Sequence, residues 1–200
     1  MSQCGPAHVR PLLATLCVSL IQSGVKTMKI LLEGRPGAGK STVARRLAQE
    51  LRCRGVRVCG FVTDELRERG RRVGFAVETF DGERATLAHV SLSGPPRVSR
   101  YGVDVEAFER VALPALEAAG EAEIVIVDEL GKMELASARF CDASSALFDG
   151  DVPVVATTHV ARHPVTDALK RRKDVERVPV TRATREALPS ELARRLRPAD

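Results

Sequence analysis

The sequence predicts an α/β domain: a three-layer sandwich with a mainly parallel central sheet and a β-hairpin inserted after the first βα unit. Short apolar runs alternate with segments of helical period, the order that gives parallel strands joined by right-handed crossovers. Two of the runs, residues 124–127 (IVIV) and 152–157 (VPVVAT), are apolar without alternation, as strands covered on both faces are. The first strand also leads through a glycine-rich loop straight into a helix.

Each element has its own signal. Residues 29–32 (KILL) read as the first strand, and residues 41–52 follow as a helix with Val43, Leu47 and Leu51 on one face. Residues 56–63 (VRVCGFVT) are a β-branched strand. Arg69-Gly70-Arg71 is a turn, and residues 73–80 (VGFAVETF) return as the second arm of the hairpin. Asp81-Gly82 marks another turn before a short strand at 85–90, and Gly94-Pro95-Pro96 sits in a loop over 91–100. Residues 104–119 have a helical period, with Val105, Phe108, Ala112 and Leu116 on a common face and Pro114 as a point for a kink or split. The remaining segments are a helix over 133–148, a helix over 164–173, a last strand over 175–180 and a terminal helix over 183–197.

Two hundred residues suit a single domain with a proper core, assigned to residues 28–200. Residues 1–27 fall outside the pattern and read as an N-terminal extension, either a start-site artefact ahead of Met28 or a disordered segment. The apolar run at 12–21 has the length of a signal-peptide h-region but no small-x-small cleavage site follows it, and it is too short to span a membrane. Thirty-one basic against 26 acidic residues give a net charge of +5, with Lys170-Arg171-Arg172-Lys173 and Arg194, Arg195 and Arg197 near the end. Such a surface admits a nucleic-acid partner but is better read as a solvated helix end, and one Tyr without Trp makes a base-stacking platform a poor expectation. Five cysteines with no C-x-x-C pair imply neither a zinc site nor a disulfide framework, so reduced thiols in a cytoplasmic protein are expected.

The loop Gly34-Arg35-Pro36-Gly37-Ala38-Gly39-Lys40-Ser41-Thr42 satisfies G-x-x-x-x-G-K-[ST] between a strand and a helix, the setting of a phosphate-binding loop, or Walker A motif. Its glycines let successive N–H groups turn inward, and the helix N-terminus adds partial positive charge. Lys40 is placed to reach β- and γ-phosphates, and the Ser41 hydroxyl to bind Mg²⁺. Asp128-Glu129 ends the buried run at 124–127 as a Walker B pair does: Asp128 suits the Mg²⁺ carboxylate, and Glu129 a base that polarises water. Ligands of parallel sheets sit beyond the carboxyl ends of strands, where both motifs fall.

Together these residues resemble the P-loop nucleoside-triphosphatase family first described from thermophiles. The resemblance rests on GRPGAGKST (34–42), GFVTDELRERGRRVGF (60–75), RYGVDVEAFE (100–109), IVDELGKMEL (126–135) and ATTHV with His163-Pro164, and covers residues 28 to about 188. It implies Mg²⁺-dependent hydrolysis of ATP, GTP and other NTPs with loose base selectivity. It also implies a strand between the loop strand and the Asp-bearing strand. Nucleotide contacts are implied for residues 34–42, for Ile126, Val127, Asp128 and Glu129, and for Arg185 near the base. Thr184 departs from the family's usual Asn, which leaves base preference least secured.

Arg67 and Arg72 on the hairpin are candidates for an arginine that neutralises γ-phosphate charge, with Arg67 favoured over ordinary surface arginines. Catalysis is thus assigned to Glu129, Lys40 and Arg67, and metal binding to Ser41 and Asp128. Glu65 is a candidate to orient an arginine or join the magnesium shell. Lys132 and Glu134 are candidates to pair with each other, and Thr157, Thr158 and His159 to sense the γ-phosphate. A monomer without membrane association is assumed. A nucleoside, nucleotide or polynucleotide kinase, and an NTP-dependent nucleic-acid-binding protein, remain as alternatives.

Overall fold

The structure, a computed structural model, describes residues 27–158 and 162–196. Residues 1–26 of the N-terminal extension, His159 and Arg197 lie outside the described residues.

The first strand, β1 (Lys29–Glu33), feeds the glycine loop and then α1 (Lys40–Cys53). The chain continues through β2 (Val58–Glu68), β3 (Arg71–Thr79), β4 (Arg84–His89), β5 (Arg97–Val98) and β6 (Tyr101–Val103) to α2 (Val105–Glu117). Next come β7 (Ile124–Leu130), α3 (Ala138–Asp149), β8 (Val154–Thr158), α4 (Pro164–Arg171), β9 (Val175–Pro179) and α5 (Leu188–Arg195). All nine strands form one sheet in the order β5-β6-β4-β3-β2-β7-β8-β1-β9. The run from β2 to β9 is parallel, with β8 lying between β1 and β7. From β2 outwards every pairing is antiparallel.

The parallel half is built by strands that bury both faces. In β1, Leu31 faces one core while Ile30 and Leu32 face the other; in β7, Val125 and Val127 oppose Ile124 and Ile126. One face carries α2 and α3 over a cluster in which Phe61, Phe108 and Phe140 meet with ring centroids 5.0–5.7 Å apart. The other face carries α1 and α5, through Val43, Leu47, Leu51 and Leu192. Gly60 lets β2 lie close against β7: its φ is +103°, and a Cβ there would stand 2.1 Å from the Ile126 carbonyl oxygen.

Several expectations change. The insertion is larger than a hairpin, because the loop expected over 91–100 contributes β5 and pairs it with β6. The first arm runs on to Glu68, and the turn is the two residues Arg69 and Gly70, both at positive φ as the tight turns of twisted hairpins require. Pro114 does not split α2, which is capped by Asp104 accepting from the Ala107 N–H at 2.9 Å and is held by its buried face. The helix expected over 133–148 is a short 3₁₀ turn, Glu134–Ala136, followed by α3, because the Ser137 side chain caps the Phe140 N–H at 2.9 Å. The terminal helix starts later than residue 183. Thr181 and Thr184 close a turn on each other, and Pro189 sits in the first turn of α5, where its missing N–H costs nothing.

The basic tail is answered by acids only in part. Arg172 pairs with Asp149 and Asp174, Arg177 with Glu33, and Arg195 with Glu176. Cys53, Cys59 and Cys141 are free thiols. No described helix is long and apolar enough to cross a membrane.

Candidate functional site

Four neighbouring parallel strands, β1, β8, β7 and β2, bring their carboxyl ends to one edge, and the glycine loop folds over it. Gly39, at φ +101°, is the N-cap of α1, and the turn before it is closed by the Ala38 N–H donating to the Arg35 carbonyl at 3.1 Å. Lys40 is nearly buried. Its Nζ donates to the Gly34 carbonyl at 3.3 Å and lies 3.4 Å from Glu129 Oε2.

Asp128 is wholly buried at the end of β7. Its Oδ1 accepts from Ser41 Oγ at 3.1 Å and from Thr157 Oγ1 at 2.6 Å. Its Oδ2 stands 3.5 Å from both the N–H and the hydroxyl of Thr63. Burial pushes the Asp128 carboxyl up, the Thr157 and Ser41 hydrogen bonds pull it down, and neighbouring Glu129 raises it again. Four neutral donor groups from three residues are thus directed at one buried carboxylate. Ser41 and Asp128 are a hard oxygen set side by side, which fits Mg²⁺ held by few protein ligands and completed by phosphate oxygens and water. Among the described residues no cluster of three His, Cys, Asp or Glu side chains offers a self-sufficient metal cage.

These groups open into a cleft of about 650 Å³. One wall is the loop from Pro36 to Thr42, with Arg185 packed against it: a Cβ on Gly39 would meet Arg185 Cδ at 3.1 Å. Arg185 Nε is buried without a hydrogen bond and lies 3.4 Å from Glu186 Oε1. The floor holds Glu129 and Glu134, and the far wall is Thr63, Asp64 and Glu65 of β2 with Arg72 and Phe75 of β3.

Of the expected site residues, Pro36, Gly37, Gly39, Lys40, Ser41, Thr42, Glu129 and Arg185 line this cleft. Gly34, Arg35 and Ala38 shape the loop from outside the lining, and Asp128 lies beneath it. Ile126 and Val127 are corrected: 0% and 1% exposed, their side chains belong to opposite core faces and offer a ligand no surface. Arg67 is corrected too. It is not among the residues that line the cleft and donates to the Gly70 carbonyl at 3.1 Å and to Glu65 at 2.5 Å, while Arg72 lines the cleft. A register irregularity between Leu66 and Arg67 breaks the alternation from which either arginine's direction would be read. Glu65 holds both arginines.

Lys132 and Glu134 do not pair. Glu134 turns inward, 6% exposed, beneath Gly131, where a Cβ would stand 2.7 Å from its Oε2. Burial pushes its carboxyl up to about 8, with Glu129 and Asp128 adding to the rise and the Glu134 and Gly131 N–H groups opposing it. Thr158 donates to the Leu130 carbonyl at 3.4 Å. Thr63 was missed; its place directly after the apolar run of its strand, one strand over from Asp128, was the available signal.

The protein-family model described as NTPase matches residues 29–193. Among relatives, the nucleoside-triphosphatase THEP1 of Thermotoga maritima is 39% identical over 166 residues, spanning 82% of this chain and 93% of that protein. THEP1 of Thermofilum pendens is 44% identical over 171 residues, spanning 83% and 93%. The crystal structure of THEP1 from Aquifex aeolicus superposes with a TM-score of 0.75 at 32% identity over 82% of this chain and 96% of that one. The solution structure of a human cancer-related nucleoside triphosphatase gives 0.73 at 35% identity over 84% and 96%. With a catalytic-type lysine and two successive carboxylates at one sheet edge, and with relatives matched over nearly their whole length, the chain belongs to the NTPase family of the THEP1 nucleoside-triphosphatases.

Proposed function

We propose that the protein is a Mg²⁺-dependent nucleoside-triphosphate phosphohydrolase, converting NTP and water to NDP and phosphate, with ATP, GTP and other NTPs as substrates. The observation that carries this reading is the junction of Lys40, Ser41, Asp128 and Glu129 at adjacent strand ends. The helix–sheet–helix layering supports a P-loop sandwich with the antiparallel strands as its insertion. The names of the relatives support the substrate class.

In this reading the glycine-loop N–H groups and Lys40 bind the phosphate oxygens. Glu129 accepts a proton from water as its oxygen bonds to the γ-phosphorus, and the bond from that phosphorus to the β–γ bridging oxygen breaks, releasing NDP. Ser41 and Asp128 would hold Mg²⁺, which when bound neutralises phosphate charge. Thr157 and Thr63 fix the Asp128 carboxylate in place. Arg185, packed against the glycine loop, is assigned to the base, and a single arginine there favours weak base selectivity. A monomer in the cytoplasm is the accompanying assignment. Arg172 and Arg195 of the basic tail are taken up by acids, which favours this reading over a nucleic-acid-binding one.

The test is phosphate release from ATP, GTP, CTP and UTP, with Mg²⁺ and with EDTA. Release from several nucleotides, lost with EDTA and reduced about 10²–10⁴-fold in Glu129→Gln while ATP binding persists, is the expected result. Tight ATP binding without release by the parent protein overturns the hydrolase assignment, and unchanged turnover in Glu129→Gln overturns the role of Glu129.

A further inference from the structure

The cleft does not end where hydrolysis would need it to. Beyond Glu129, on the side away from the glycine loop, it continues between β3 and the segment after β7, lined by Arg72, Phe75, Val98, Lys132 and Met133. Water as the attacking group needs no such room, and this wall has the chemistry of a binding site.

Arg72 is held there by three different contacts. Its Nη1 donates to Glu65 at 2.6 Å, its Nε donates to Tyr101 Oη at 3.2 Å, and its guanidinium carbon lies 5.2 Å from the Phe75 ring centroid. Phe75 is itself braced edge-on by Tyr101, with centroids 5.3 Å apart. Arg100 donates to Tyr101 Oη at 3.0 Å and to the Arg72 carbonyl at 2.6 Å, which ties β3 to the strand pair β5–β6. These bonds use Nε and Nη1 of Arg72 and leave Nη2 for a ligand. A guanidinium spread over an aromatic ring presents a flat cationic face, suited to an anion or a planar ring. Across from it Lys132 is exposed and pairs with no carboxylate among the described residues. Val98 and Met133 add apolar surface to the same lining.

We propose that this end of the cleft is a second ligand site, for a nucleoside monophosphate that accepts the γ-phosphoryl group. Arg72 and Lys132 bind its phosphate, and Val98 and Met133 take the edge of its ring. The proposal rests on an NTP bound to the glycine loop as assigned above. A phosphate oxygen of the monophosphate attacks the γ-phosphorus, a new P–O bond forms, and the bond to the β–γ bridging oxygen breaks with its electron pair leaving on NDP. Two nucleoside diphosphates result. A phosphate monoester dianion has no proton to lose, so this transfer needs no base, unlike attack by water.

That difference supplies the test. The full-length protein is incubated with Mg²⁺ and ATP labelled at the γ-phosphate, alone and with AMP, GMP, CMP or UMP, and labelled phosphate and labelled diphosphates are separated on one plate. Labelled diphosphate from at least one monophosphate is expected, and it persists in Glu129→Gln while free phosphate falls. Arg72→Ala and Lys132→Ala should each lower diphosphate formation about ten- to a hundredfold, as loss of a charged hydrogen bond does, without changing phosphate release in the absence of acceptor. Phosphate release without labelled diphosphate from any of the four overturns the acceptor site alone. Absence of both products overturns the hydrolase reading with it. An equal fall in acceptor-free phosphate release in Arg72→Ala overturns the site too, by placing that arginine on the γ-phosphate.

Discussion

The two walls of the cleft are made by opposite strategies. On the parallel side Asp128 is wholly buried, and its oxygens accept from hydroxyls on two other elements, Ser41 of α1 and Thr157 of β8. On the antiparallel side Glu65 and Arg72 are 37% and 44% exposed and are held mainly by a salt bridge and a ring contact. In the first setting every polar partner is obligatory, because an unpaired buried group is expensive. In the second, water can replace any partner that leaves. Rigid chemistry sits where the backbone is buried on both faces, and adaptable recognition where one face meets solvent.

The contrast should be largest in the two lysines. Lys40→Ala is expected to weaken NTP binding and to lower turnover by about 10²–10³, as loss of one transition-state donor does, whereas Lys132→Ala leaves hydrolysis as it was. Initial rates and nucleotide titrations of the two variants check this, and equal losses would erase the distinction between the walls. The aromatic residues come next. Phe61→Ala opens a cavity among Phe108 and Phe140 and should cost about 3–5 kcal/mol. Phe75→Ala, on the half-buried wall, should cost about 1–2 kcal/mol. Denaturant unfolding ranks the pair.

Glu134 gives a pH-dependent comparison. Its folded-state value of about 8 lies above the ordinary 4.5, so between those pH values the folded protein keeps a proton that the unfolded chain has released. Its contribution therefore declines as pH rises through that window and levels off above it. Glu134→Gln keeps the neutral shape, so it should match the parent at pH 4 and exceed it by at least about 1 kcal/mol at pH 9. Unfolding curves at both pH values check this; a parallel decline in the variant would trace the slope to other groups. Single hydroxyls complete the comparison. Thr157→Val leaves a buried carboxylate short of a donor and should cost about 1–3 kcal/mol, against about 0.5–1 kcal/mol for Tyr101→Phe on the open wall. Shifts in the denaturant midpoint separate them.

How much of this could be read in advance divides along the same line. Continuous apolar runs such as residues 124–127 announce a strand covered on both faces, and the glycine loop announces itself by spacing, so the parallel half and Lys40, Ser41, Asp128 and Glu129 were legible. On the antiparallel half the signals are weaker. The Arg97–Val98 strand is two residues long, below the reach of any periodicity. The irregularity at Leu66 and Arg67 hides from the sequence that Arg72, not Arg67, lines the cleft. Glu134 reads in sequence as a partner for Lys132, whereas the missing side chain of Gly131 makes room to bury it. Ile126 and Val127 were drawn into the nucleotide site by adjacency in sequence, although a strand end turns its carboxylates, not its aliphatic residues, toward the ligand.

Gly60 has a consequence that reaches this chemistry from a distance. Even the smallest side chain there would collide with the Ile126 carbonyl, and the backbone angle is one that only glycine holds without strain. Two residues past that carbonyl lies Asp128, so the contact acts as a spacer gauge for the strand that carries the carboxylates. A saturation library selected only for folding and solubility should tolerate a wide choice of residues at Arg71 and leave position 60 a single-letter column, the tightest tolerance among the described residues set one strand away from the reacting groups.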